Sequence, residues 1–167
     1  IRKQTIVING VSKTYAMTGW RVGFAVGEPE IISGMAKIIS QTTSNLTSVS
    51  QYAAIEALTG DQSSIEEMRK AFEERLNTIY PLLAEVPGFE VIKPQGAFYL
   101  FPNVKKAMEI KGYTDVNDFT NAILEEAEVA LVTGAGFGAP ENIRLSYATD
   151  LDILKEAVRR IKAFMEK

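Results

Sequence analysis

Two short apolar runs near the start of the chain predict a pair of strands. Residues 6–8 read Ile-Val-Ile with no polar alternation, and residues 22–26 form a second run bounded by Gly19 and Gly27. A β-branched run without alternation is typical of a strand covered on both faces, as in a parallel sheet. Asn9-Gly10 directly after the first run is also a common hairpin signal, so both arrangements stay open on spacing alone.

Two helices are predicted after the second run. Pro29 suits a first helical turn, and apolar residues recur at helical spacing from Ile31 to Ile39. The polar residues 40–48 end this helix and cap the next one. That second helix is expected to stop at Gly60, in the position where a left-handed residue closes many helices.

A polar boundary divides the chain into two predicted domains, residues 1–62 and residues 63–167. Ser64 and Glu67 form a capping box at the start of a long helix that carries one apolar stripe. Pro81 interrupts the last turns of this helix and is expected to bend or end it.

The second predicted domain alternates short strands with helices. Asp115 is the predicted N-cap of one helix, and either Thr149 or Asp150 caps the last helix. Four strands are predicted from β-branched and aromatic residues, at 89–93, 97–101, 129–133 and 143–147. This part therefore reads as an α+β unit with helices on one side of a small sheet.

Composition removes several kinds of chemistry. The 167 residues carry a net charge of −3 without a basic cluster, so nucleic-acid binding is not expected. Histidine and cysteine are absent from the sequence, which excludes Ser-His-Asp catalysis, imidazole metal sites and thiolate sites. No run approaches the ~20 apolar residues of a membrane span and no signal-peptide pattern opens the chain. We therefore expect a cytoplasmic protein that does not bind membranes.

One lysine and two arginines are the candidate functional residues. Lys13 follows the first strand, where α/β sheets place ligands, and a partly desolvated amine there is a nucleophile toward an aldehyde. Arg21 lies beside glycines and apolar strand residues, an arrangement that suits bidentate capture of a phosphate or carboxylate. Arg144 faces away from Ile143 and Leu145 on a predicted strand. It would bind an anion, remain a surface arginine, or form an ion pair with a carboxylate distant in the chain.

Residues 134–138 form a glycine-rich stretch that does not fit a nucleotide-binding fingerprint. Such a fingerprint must open a helix, whereas Ala139-Pro140-Glu141 leads here to another predicted strand. A loop beside a substrate entrance and simple turn geometry both remain open.

Residues 12–23, SKTYAMTGWRVG, resemble the lysine segment of fold-type I, pyridoxal-phosphate-dependent aminotransferases of the class I/II (aspartate aminotransferase-like) family. Three further segments match that family, GAFY at 96–99, TGAGFG at 133–138 and NIRLSY at 142–147. The resemblance covers essentially the whole chain. It implies an α/β fold in which residues 1–62 are a remnant of the large cofactor-binding α/β domain. Residues 63–167 would then be the small α+β C-terminal domain with its linking helix.

The resemblance also implies a reaction, transamination between an amino acid and a 2-oxo acid with pyridoxal 5'-phosphate as cofactor. Lys13 would form the Schiff base with the cofactor and move the proton, Arg21 would bind the cofactor phosphate, and Arg144 would bind the substrate carboxylate. Many relatives carry a phosphate-binding serine three residues before the lysine, where this chain has Gly10. Ser12 is the candidate substitute. Members of the family are homodimers, so a homodimer is expected.

The chain is expected to be the C-terminal portion of a longer enzyme and to be inactive alone. It begins with Ile1 and a strand that needs neighbours, and the family's other cofactor contacts lie upstream of the lysine segment. Two alternatives remain open, a lyase or synthase of the same fold that uses the same lysine, and a non-catalytic fragment.

Overall fold

The computed structural model describes residues 1–167, with the side chain of Arg2 left out of the description. Two compact units make up the chain, Ile1–Met68 and Arg69–Lys167. Each unit has its own set of buried side chains, and each is described here by itself.

The first unit holds a two-stranded sheet and two helices. Strand β1 (Val7–Gly10) pairs with β2 (Gly23–Val26), and helices α1 (Pro29–Thr42) and α2 (Ser48–Thr59) follow. Its buried apolar side chains are those of Val11, Met17 and Ala54.

The pairing of β1 differs from the expected parallel arrangement. Its partner among the described residues is β2, which runs antiparallel with Asn9 opposite Phe24. The connecting residues fold back through turns and a short 3-10 helix, Thr18–Trp20, so the second strand returns along the first. The hairpin alternative is therefore the correct one, although Asn9-Gly10 lies within β1 rather than at the turn. The expected cover is also missing within this chain, since Ile8 is 75% exposed.

The helix boundaries of the first unit follow the sequence closely, with one correction at Gly60. Thr47 caps α2 by accepting a hydrogen bond from the Ser50 N–H. Gly60 ends α2 in an extended conformation, with φ −78° and ψ −165°, and not in the expected left-handed one. A Cβ at this position would lie 2.7 Å from the carbonyl oxygen of Glu56, so glycine is required here for space.

Helix α3 (Ser63–Ala84) begins one residue before the predicted cap. Ser64 lies inside the helix, and it is Asp61 that accepts hydrogen bonds from both the N–H and the hydroxyl of Ser63. These bonds lower the pKa of Asp61. Pro81 lies in the last turns of α3 and removes one backbone donor there. The helix continues past it and ends three residues later at Ala84.

The second unit is built on a three-stranded antiparallel sheet. Strands β3 (Tyr99–Leu100), β4 (Val132–Thr133) and β5 (Ile143–Ser146) are arranged in the order β3-β5-β4. Helices α4 (Lys105–Lys111), α5 (Val116–Ala127) and α6 (Leu151–Glu166) accompany the sheet. The largest side chains buried in this unit are those of Tyr147, Phe119, Phe164, Ile79, Leu83, Leu100, Ile123, Ile143 and Ile161.

Two elements of this unit differ from the expected ones. Residues 89–93 do not form a strand, because Glu90 pairs with Asn103 only through an isolated bridge and Ile92 is 89% exposed. Helix α4 was not predicted from the sequence, since its seven residues are too few to show a clear apolar period. The predicted caps at Asp115 and Asp150 are confirmed, each accepting two backbone N–H groups.

Candidate active site

Lys13 lies in a tight turn that follows β1. The turn is closed by backbone hydrogen bonds from Tyr15 N–H to the Val11 carbonyl (3.2 Å) and from Met17 N–H to the Ser12 carbonyl (3.0 Å). Val11 and Met17 are buried, so they anchor the turn. Lys13 is thus an exposed residue on a turn whose backbone is fixed by buried residues before and after it.

Arg21 is held in an unusual backbone conformation at the end of the short helix Thr18–Trp20. Its φ of 54° and ψ of 50° are left-handed, which costs a non-glycine residue ~1–2 kcal/mol. Its Nη1 donates a hydrogen bond of 2.9 Å to the Thr18 carbonyl. Strained residues persist where neighbouring structure holds them, and they cluster at functional sites. The strain therefore marks Arg21 as a candidate site residue.

Ser12, Lys13 and Arg21 line one cavity of about 420 Å³ in the first unit. Its remaining lining residues are Asn9, Gly10, Thr14, Val22 and Gly23. The residues described as lining the cavity include two cations and no carboxylate. A concave surface with that charge attracts an anion.

Arg144 lies in the second unit, on β5. Ile143 and Leu145 on either side of it are buried, so Arg144 faces away from the core, as predicted. The guanidinium carbon lies 4.5 Å from the centre of the Tyr99 ring and 5.0 Å from that of Phe137. Two aromatic rings at these distances stabilise a cation. No ion pair of Arg144 is recorded within the described part of the chain.

The glycine-rich stretch provides one of these aromatic walls. Gly134 N–H donates to the Asn142 carbonyl (2.7 Å), a short 3-10 helix covers Ala135–Phe137, and Gly138 closes it with φ 73°. This turn places the Phe137 ring beside Arg144. Sequence reasoning identified the loop but missed Phe137 and Tyr99 as partners of the arginine. An aromatic residue inside a glycine-rich loop was the available signal.

Comparison with known proteins identifies the family. The model of the family described as "Aminotransferase class I and II" matches residues 2–161. The chain belongs to the class I and II aminotransferases. The resemblance seen in the lysine segment is therefore confirmed, and so is the mixed α/β fold class.

Several named aminotransferases are similar to this chain over its full length. An asparagine–oxo-acid transaminase from Streptococcus mutans is 77% identical over 100% of the chain, and an aspartate aminotransferase from Bacillus subtilis is 58% identical over 100% of it. The crystal structure of an aspartate aminotransferase from Rhizobium meliloti superposes with a TM-score of 0.90 at 38% identity, over 99% of the chain. The chain spans 42% of the length of each of these three proteins.

Class I and II aminotransferases use pyridoxal phosphate, and the cavity of the first unit fits that cofactor. Pyridoxal phosphate carries an aldehyde, which an amine can bond, and a phosphate, which a guanidinium can bind. Lys13 carries an amine and Arg21 carries a guanidinium, and both residues line the same cavity. Among the described helices, none is both long and apolar enough to cross a membrane.

Proposed function

We propose that this chain carries the lysine and arginine part of a pyridoxal-phosphate-dependent aminotransferase that moves an amino group between an amino acid and a 2-oxo acid. The observation that carries the proposal is the single cavity that Lys13 and Arg21 line together. The chain's membership of the class I and II aminotransferases supports the same reaction.

Three side chains have defined roles in this proposal. When bound, pyridoxal phosphate supplies the electron-withdrawing ring on which transamination depends. The Lys13 amine holds the cofactor and, once released, moves a proton at the substrate α-carbon. Arg21 binds the cofactor phosphate, with Ser12 as a neighbouring hydroxyl donor. Histidine, the commonest catalytic proton carrier, is absent from the sequence, and lysine performs that task.

Arg144 is proposed to bind the α-carboxylate of the substrate. The Tyr99 and Phe137 rings lie beside the guanidinium carbon, at 4.5 and 5.0 Å, and a planar guanidinium can bind a carboxylate through two of its N–H groups. The names of the relatives suggest asparagine and aspartate as the first amino donors to assay.

The setting of the site is also part of the proposal. We assign residues 1–62 to the large cofactor-binding domain of the family and residues 63–167 to its small domain. We further propose a cytoplasmic homodimer, in keeping with the family.

Cofactor attachment can be tested directly on this chain. Pyridoxal phosphate is added, the product is reduced with borohydride, and the modified lysine is mapped by mass spectrometry after digestion. We expect the label on Lys13, with loss of labelling in Lys13→Ala and weaker labelling in Arg21→Ala. Lys37→Ala, which removes an exposed lysine of α1, is the matched control and should label as the parent does. Label spread over many surface lysines in place of Lys13 contradicts the assignment.

The reaction is tested in the active enzyme that carries this sequence. We expect an oxo acid as the product, near-complete loss of activity in Lys13→Ala, and for Arg144→Ala a raised KM with a smaller change in kcat. An elimination product would indicate a lyase or synthase. Full activity of Lys13→Ala would indicate a non-catalytic role for this segment.

A further inference from the structure

Asn9 is the one asparagine of this sequence that is followed by glycine. A glycine on the C-terminal side leaves the next backbone nitrogen unobstructed by a side chain, and such nitrogens attack asparagine side chains most readily. Asn9 is exposed, and it lines the cavity that also holds Lys13 and Arg21. Any chemical change at Asn9 therefore alters the proposed cofactor site.

The backbone N–H of Gly10 is available for that attack because it takes no part in the β1–β2 ladder. Val11 N–H donates to the Val22 carbonyl, which makes residues 11 and 22 a hydrogen-bonded pair. Such pairs alternate along an antiparallel ladder, so Gly10 and its partner Gly23 form a non-bonded pair whose N–H groups point outward. The Gly10 N–H instead donates to Oδ1 of Asn9 at 2.7 Å. This contact holds the Gly10 nitrogen beside the side-chain carbonyl group that it would attack.

Position 10 cannot easily carry a larger residue that would slow the attack. A Cβ at Gly10 would lie 2.9 Å from the Val22 carbonyl oxygen, which is backbone and cannot move without disturbing β2. The close approach of the two strands thus requires glycine at position 10.

We propose that Asn9 is a site of spontaneous deamidation, and that the carboxylate formed there weakens anion binding in the adjacent cavity. The second half of this inference rests on the proposed function of the cavity. The rate of deamidation, which depends on the backbone at Asn9-Gly10, would then limit how long the cavity keeps its full affinity for anions.

The chemistry needs only water. The Gly10 nitrogen loses its proton and bonds to Cγ of Asn9, while the Cγ–Nδ2 bond breaks and the amide nitrogen leaves as ammonia with that proton. The resulting five-membered succinimide adds one water and opens to aspartate or isoaspartate. Nothing is oxidised or reduced, and the net change is the exchange of an NH₂ group for OH, with one new negative charge at neutral pH.

The charge would oppose the two cations of the cavity. Lys13 and Arg21 attract a phosphate, and a carboxylate on Asn9 repels it. One unit charge about 4 Å away in bulk water changes an affinity on the order of fivefold, and a larger distance gives less. An isoaspartate would also add an atom to the backbone of β1 and disturb the strand that leads to Lys13.

The first experiment follows the chain during incubation in mildly alkaline buffer at 37 °C. Intact mass, peptide mapping and enzymatic isoaspartate methylation locate the change. We expect conversion at Asn9, with the six other asparagines of the sequence intact as internal controls. In Asn9→Gln the conversion should disappear, because the ring that glutamine would form is larger and closes slowly. An intact Asn9, or conversion spread evenly over the asparagines, overturns the proposal. So does strong protection of Asn9 in native buffer relative to urea, since it would show that the fold blocks the attack.

The second experiment measures inorganic phosphate binding by NMR titration. Fresh chain is compared with the more acidic fraction that ion exchange separates after incubation, and with Asn9→Asp. We expect weaker phosphate binding in both, on the order of fivefold for each phosphate charge at about 4 Å and less at a larger distance. Equal affinity overturns the claimed effect on the cavity. If the fresh chain binds no phosphate while Asn9 still deamidates, the proposed role of Arg21 fails and the modification site stands.

Discussion

Gly88 and Gly112 allow a steric cost to be separated from a conformational one. Both adopt a left-handed backbone, with φ of 78° and 77°. A Cβ at Gly88 would lie 2.5 Å from the nitrogen and 2.6 Å from the Cα of Ala107, in the backbone of α4. A Cβ at Gly112, the C-cap of the same helix, would meet no heavy atom within 4 Å. Gly112→Ala therefore tests the conformational cost alone, and Gly88→Ala tests the conformational and steric costs together.

The conformational cost is common to both variants. A left-handed alanine costs ~1–2 kcal/mol of folded-state stability. Alanine also has less conformational freedom than glycine in the unfolded chain, which offsets about 0.4–1 kcal/mol of that cost. Gly112→Ala should thus lower the free energy of unfolding by about 1 kcal/mol. Gly88→Ala must also displace the α4 backbone at Ala107, which is fully buried. Overpacking adds about 1–3 kcal/mol, for a total of about 2–4 kcal/mol.

Thermal unfolding followed by circular dichroism measures both variants. In a unit of this size each kcal/mol lowers Tm by about 4–8 °C, so the two shifts should be easily separated. Urea unfolding provides the free energies independently. Equal destabilisation by the two variants would refute the argument, because it would show that α4 yields to the added methyl group at little cost.

Three further changes test individual contacts of the second unit. Tyr147→Phe should lower the free energy of unfolding by about 1 kcal/mol, since its buried phenol donates to the Ala97 carbonyl at 3.0 Å. Burial also raises the pKa of Tyr147, so stability present below pH about 10 should be lost as the pH rises further, and urea unfolding of this variant should lack that loss. Asp150→Ala should cost about 1 kcal/mol in the same assay, and Asp150→Asn much less, because asparagine also caps α6. Hydrogen bonds from Arg159 and then Arg160 lower the pKa of Glu156 to about 2. Their contribution, present above pH about 4.3, should therefore fade in acid. The three side chains are 38–67% exposed, so we expect a small, salt-sensitive effect that is absent in Glu156→Gln.

The sequence predicted best what depends on neighbouring residues. The caps at Asp115 and Asp150 follow from a short side chain that accepts the first N–H groups of its own helix. The orientation of Arg144 follows from the two-residue period of a strand between two buried neighbours. Lys13 was expected just past a strand end, and it lies in the turn after β1.

What the sequence could not predict depends on partners distant in the chain. An apolar run without alternation indicates a strand but does not choose its neighbour, so the sequence left the parallel and the hairpin arrangements of β1 open, and the pairing with β2 decides for the hairpin. The Tyr99 and Phe137 rings meet Arg144 only because β3 pairs with β5 and a glycine turn brings Phe137 back. Gly60 carried a sequence signal for a left-handed residue and adopts an extended conformation, in which Glu56 leaves no room for a Cβ.

The two arginines that are proposed to bind anions, Arg21 in the first unit and Arg144 in the second, are oriented by different means. Arg144 is held through its side chain, by the two aromatic faces beside it. Arg21 is held through its backbone, in a left-handed conformation, with one N–H committed to the Thr18 carbonyl. Loss of one ring still leaves Arg144 the other ring and a paired strand. A change in the turn that sets the backbone of Arg21 moves its charge relative to Lys13. The geometry of the cavity in the first unit therefore depends on the conformation of residues 11–22 more than on any single side-chain contact, which is why a chemical change in the adjoining β1 matters to it.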